Sequence, residues 1–206
     1  MKNIVFVCIA GGWLCCSACA NHSQSPALHL QDSLSNQDSV KNAFFPIADY
    51  LETEIMRVDS IPRAMTKYTT RDGKTDSGYI QLSEFNTLAL QFLLPEFKDG
   101  SFEKNYTESS FMDKTTQSVT FTYSTTDKDL PLQRIDVQAD PSGRDNQVKS
   151  IYLEKSRVSG DSVILQKMYW EGGRNFQVVS FIRIKGRAPI QQLLKVVWDT
   201  SQDNEQ

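Results

Sequence analysis

From Asn42 onward the apolar residues fall first into a helical and then into a strand rhythm. Ile47, Leu51, Ile55 and Val58 recur at spacings of four, four and three residues and lay one apolar stripe along a predicted helix. Phe44 and Phe45 stand at its start, and Ser60-Ile61-Pro62 ends it, because proline cannot continue the hydrogen-bond ladder. Met65 to Gln81, MTKYTTRDGKTDSGYIQ, reads as two strands around Asp72-Gly73, a residue pair that suits a tight hairpin turn. Ser83 is a suitable N-cap for a second helix carrying Phe85, Leu88, Ala89 and Phe92, and Pro95 stops or kinks it. Lys98 to Lys114, KDGSFEKNYTESSFMDK, predicts no more than a helical turn.

The second half alternates. Val119, Phe121 and Tyr123 take one face of a strand, and Thr120, Thr122, Ser124 and Thr126 take the other, which implies that one side of the sheet meets water. Ile135, Val137 and Ala139 repeat the pattern before the turn Asp140-Pro141-Ser142-Gly143. VKSIYLEKS, SVILQKMYW, FQVVSFIRI and IQQLLKVVW follow, with Gly172-Gly173 joining two of them as a tight hairpin. Consecutive strands on short links imply an antiparallel meander. The expected fold is α+β: a curved antiparallel β-sheet of about six strands, two helices packed on one face, and an N-terminal β-hairpin. The expected organisation is a signal over residues 1–18, a flexible tether over 19–41, one globular domain over 42–199, and a frayed tail over 200–206.

The first twenty residues differ in kind. Met1-Lys2-Asn3 precedes the apolar run IVFVCIAGGWL, Ile4 to Leu14, which is short of the roughly 20 residues a membrane-spanning helix needs. A charged start, a short apolar core and then small residues read as an export signal. All four cysteines lie here: Cys8, Cys15, Cys16 and Cys19. The segment CSAC, with Ser17 and Ala18 before Cys19, resembles the lipobox of bacterial envelope lipoproteins, although Cys16 stands where leucine is usual. That resemblance covers only these residues. It implies cleavage before Cys19 and acylation of its thiol, palmitate included, so that two or more acyl chains hold the chain on a membrane where one would hold it only marginally. An ordinary secretory signal is the alternative, and it would leave one unpaired thiol near the mature start. NHSQSPALHLQDSLSNQDSV, Asn21 to Val40, is polar and aperiodic, and a chain of that length has an end-to-end distance on the order of 25 Å. No acid follows Cys19 directly, which favours the periplasmic face, with the outer membrane as the expected site. The segments FFPIADYL, KYTT and SFMDKTT also look like parts of small uncharacterised lipoproteins of Gram-negative bacteria, and no activity comes with that likeness.

Composition narrows the chemistry. The 206 residues are 39% hydrophobic and 23% charged, enough for a sizeable core. With 22 basic and 25 acidic residues the formal charge is -3, which lacks the basic footprint of a nucleic-acid binder. Both histidines, His22 and His29, and every cysteine precede the expected domain. Zinc or copper sites and imidazole-based nucleophilic catalysis therefore have no residues to use there. No phosphate loop, dinucleotide glycine pattern or EF-hand spacing occurs. The expectation is a module without enzymatic activity and without a cofactor. It would be held to a membrane and bind an envelope protein or an apolar ligand.

Three sets of residues remain as candidates. Glu103, Glu108 and Asp113 could serve a glycan hydrolase, which needs two carboxylates, or be solvated loop acids. Asp140, Asp145 and Asn146 could offer oxygen ligands to calcium, or simply form a turn. Tyr169, Trp170, Phe176 and Trp198, with Phe181, could line an apolar cleft between sheet and helices, or pack the core.

Overall fold

A computed structural model describes residues 44–60, 63–98, 100–141 and 148–199. The signal, Cys19, the tether, both histidines, Asp145, Asn146 and the 200–206 tail lie outside them. The described residues belong to one compact unit. No helix among them is long and apolar enough to cross a membrane.

Helix α1, Ile47–Ser60, follows from the apolar stripe: Ile47, Leu51, Ile55 and Val58 are all buried. Asp49 in its first turn and Arg57 in its last complement the helix dipole. Strands β1, Met65–Arg71, and β2, Lys74–Ile80, pair antiparallel across Asp72-Gly73, whose φ angles of 51° and 75° are those the two-residue turn requires. Helix α2, Leu82–Ala89, starts from Gln81, whose extended backbone caps it without a side-chain bond. Ser83 is thus inside the first turn and is not the cap that its type suggests. A 3-10 turn, Leu90–Phe92, continues α2, a second follows at Pro95–Phe97, and α3, Phe102–Asn105, is one helical turn.

Seven strands complete the chain: β3 Thr107–Asp113, β4 Ser118–Ser124, β5 Leu132–Ala139, β6 Val148–Ser159, β7 Ser162–Glu171, β8 Asn175–Ile184 and β9 Ile190–Val197. All nine strands form one antiparallel sheet in the order β2-β1-β9-β8-β7-β6-β5-β4-β3. Strand accounts for 52% of the described residues and helix for 22%.

This corrects the expected sheet of about six strands under two helices. The hairpin is not an appendage, because β1 pairs with β9, Thr66 opposite Val197 and Arg71 opposite Gln192. The ninth strand is β3, in a segment whose pattern predicts none. It is an edge strand paired only with β4, and five of its seven residues are exposed, so no alternation between core and solvent marks it.

One face of the sheet meets the helices. Tyr123, Ile135, Leu153, Met168, Trp170, Phe176, Val178 and Val196 point inward and join Leu51, Phe85 and Phe92 in one core. The core ends partway along the long strands. Residues 154–167 and 179–195 contain no buried position, so half of β6, β7, β8 and β9 runs on beyond the helices.

Candidate binding groove

The projecting halves of β7 to β9 carry apolar side chains on both faces. Position 164 lies opposite 182, and 182 opposite 190, which puts Ile164, Ile182 and Ile190 in a row on the helix-bearing face. On the other face Val163 lies opposite Arg183, Leu165 opposite Phe181, and Lys167 opposite Val179. Strands facing water on one side alternate apolar with polar residues; these do not, which is the pattern of a sheet with two apolar faces. No described helix covers the second face. Val163, Leu165 and Phe181 form the floor of an open groove of about 580 Å³, closed at one side by Pro189 and flanked by Lys167 and Arg183. Phe181 is 38% exposed and Val163 39%, so the apolar floor is accessible.

The groove is electrostatically one-sided. Arg183 has no ion-pair partner among the described residues. Glu154 stands opposite Lys167 across the strand pair. The Tyr152 hydroxyl donates to Glu154 Oε2 at 3.0 Å, and burial and this bond raise the phenol to about 12. On the opposite face of β6, burial draws the Lys155 ammonium below the ordinary lysine range. A ligand fitting the groove would be apolar with one anionic group, the apolar part on Phe181 and the charge at Arg183.

The four aromatics proposed from sequence divide between the faces. Trp170, Phe176 and Trp198 are buried and touch one another, with ring centroids 5.5 Å apart for Trp170–Phe176 and 5.3 Å for Trp170–Trp198. Phe92 meets Trp170 edge-on at 5.3 Å and Phe85 meets Trp198 edge-on at 5.3 Å. The space between sheet and helices is filled by the chain's own rings. Tyr169 lies on the opposite face, between Tyr152 and Gln177. The structure therefore assembles three of the four as core and separates the fourth.

The acidic candidates are not brought together. Glu103 is in the single turn of α3, while Glu108 and Asp113 are on β3, about 17 Å apart along the strand and on opposite faces. Asp113 accepts from the Thr115 N–H at 2.8 Å and the Thr116 hydroxyl at 2.9 Å, and these bonds, the hydroxyl's foremost, hold its carboxyl below the usual range. Among the described residues no group of three His, Cys, Asp or Glu could hold a metal ion.

Val163, Leu165 and Arg183 are the residues that sequence reasoning passed over. The signal was present: Val163-Ile164-Leu165 and Phe181-Ile182 are apolar at consecutive positions, so both faces of these strands are apolar. Comparison with protein-family models, curated proteins and solved structures finds no match for this chain.

Proposed function

We propose that the chain is a lipid-anchored envelope lipoprotein, held through Cys19 on the periplasmic face of the outer membrane, whose domain binds a partner and catalyses nothing. The observation that carries the binding role is the open groove over Val163, Leu165 and Phe181, an accessible apolar surface with cations at its flanks. The lipobox-like CSAC supports the anchor. Detergent-phase partition tests the anchor: the intact chain is expected in the detergent phase and Cys19→Ser in the aqueous phase. Equal partition of the two would overturn it.

The same groove favours a second reading, a carrier or sensor of an apolar ligand. Its site is then the outer sheet face and not a cleft under the helices, where Phe85 and Phe92 occupy the space. Anilinonaphthalene sulfonate, an apolar probe with one anionic group, is expected to brighten on the wild type. Phe181→Asp should reduce that signal at least threefold, with the far-ultraviolet spectrum unchanged. An undiminished signal would remove the groove from consideration. A glycan hydrolase keeps little support, since Glu103, Glu108 and Asp113 do not converge.

A further inference from the structure

Three hairpin turns lie side by side at one end of the sheet. Arg71 stands opposite Gln192, which sets the β1–β2 turn beside the start of β9. The β8–β9 turn follows, and the Lys185 N–H donates to the Asp161 carbonyl at 3.0 Å, tying it to the β6–β7 turn. These turns and the residues next to them carry Arg71, Lys74, Arg157, Arg183, Lys185 and Arg187, all exposed. Arg71 alone forms an ion pair among the described residues, with Asp72 at 3.9 Å. Asp72, Asp76 and Asp161 are the acids among the described residues at this edge, against six cations. The concentration runs against the chain's overall charge. Residues 155–191 hold seven cations and two anions, in a chain with 22 cations and 25 anions. One register step behind the turns, Val158 is 71% exposed and its cross-strand partner Val163 is 39% exposed.

We propose that this turn edge docks on an anionic lipid surface. Three features select that occupant. Six adjacent strands span roughly 24 Å in a line, which suits a plane better than a small ligand. Cations spread along the turns match the phosphate headgroups of such a surface. The acidic remainder of the chain is repelled by the same surface, so only this edge faces it. The inference rests on the membrane location proposed above for its setting. It uses residues other than Cys19, and apart from Arg183 and Val163 it does not involve the groove.

The test is hydrogen exchange of the full chain with phosphatidylglycerol vesicles and, separately, with phosphatidylcholine vesicles. The expected result is at least fivefold slower exchange at 157–163 and 183–190 on phosphatidylglycerol alone, lost at high salt because the contact is electrostatic. Arg157→Glu/Lys185→Glu/Arg187→Glu should abolish that protection while leaving the dye signal of the groove intact. Equal protection on both lipids, or on neither, overturns the proposal, as does protection that survives the triple variant. Protection by polyglutamate without protection by phosphatidylglycerol overturns it in favour of an acidic protein. Detergent-phase partition, measured in parallel, reports the Cys19 anchor separately, so loss of the anchor and loss of edge docking are read independently.

Discussion

Glu54 is an acid among the buried residues of α1, only 3% exposed. Its Oε2 accepts the Gly173 N–H at 2.7 Å and its Oε1 lies 3.2 Å from Arg57. A buried carboxylate persists only where its oxygens are satisfied, and here it also satisfies the β7–β8 turn. Glu54→Ala leaves the half-buried Gly173 donor without its partner, and urea unfolding should show a loss of about 1–2 kcal/mol. Glu54→Gln keeps an acceptor and should cost less. The neighbouring Gly172 admits no side chain: a Cβ there would sit 2.6 Å from the Tyr50 hydroxyl and 2.9 Å from the Val148 carbonyl. Gly172→Ala is expected to destabilise by about 1–3 kcal/mol through overpacking. Tyr50→Phe removes the closer obstacle, so in a double-mutant cycle the two substitutions should cost less together than their sum. A strictly additive result would place the strain elsewhere. The sequence marks Gly172-Gly173 as a turn, whereas the reason for the first glycine lies on a helix more than a hundred residues earlier.

At the scale of elements, legibility followed burial. The stripe of α1 and the alternation of β4 and β5 were readable because each turns its apolar residues toward the core and carries mostly polar residues on the other side. Strand β3 was not, because an edge strand with Phe111 68% and Met112 49% exposed buries too little to impose a pattern. Its side chains contribute little to folding, so Phe111→Thr is expected to leave stability within about 0.5 kcal/mol, measured by thermal unfolding. A loss above 2 kcal/mol would mean that β3 is covered. The aromatic set shows a different limit. Trp170 and Trp198 look alike as core or as cleft in a one-dimensional reading, and the decision belongs to Phe85 and Phe92, which α2 and the turn after it bring across the sheet. The groove was readable in principle, since Val163-Ile164-Leu165 leaves no polar face; its use required knowing that no described helix covers that side of the sheet.

At the scale of the molecule, four tyrosine hydroxyls link stability to pH. Burial, ahead of nearby acids, raises Tyr106 to about 12, and it raises Tyr152 to about 12 together with the Glu154 bond. Burial also raises Tyr50 and Tyr123, whose hydroxyls bond to the Val148 carbonyl and the Phe45 N–H. The folded state therefore holds these protons more tightly than the unfolded chain, whose phenols titrate near 10. Below pH 10 both states are protonated and the tyrosines give stability no slope. From about pH 10 to 12 the unfolded chain ionises first and stability falls. Chemical denaturation at pH 8 and pH 11 should show this loss. Tyr106→Phe should make the decline shallower, at the cost of about 1 kcal/mol at neutral pH from the bond to the Leu132 carbonyl. A pH-independent midpoint over that window would mean that the phenols reach water.

The same scale decides when the fold can exist at all. Along the meander from β3 to β9, each strand meets the one synthesised just before it, but the β1–β2 hairpin waits for β9, so Thr66, already opposite Tyr79, gains its second neighbour only when Val197 has been made. Because closing that loop is entropically expensive and is rewarded only at its end, the sheet should complete late. A nascent chain would thus hold its first hairpin apart from the growing meander until the final strand emerges.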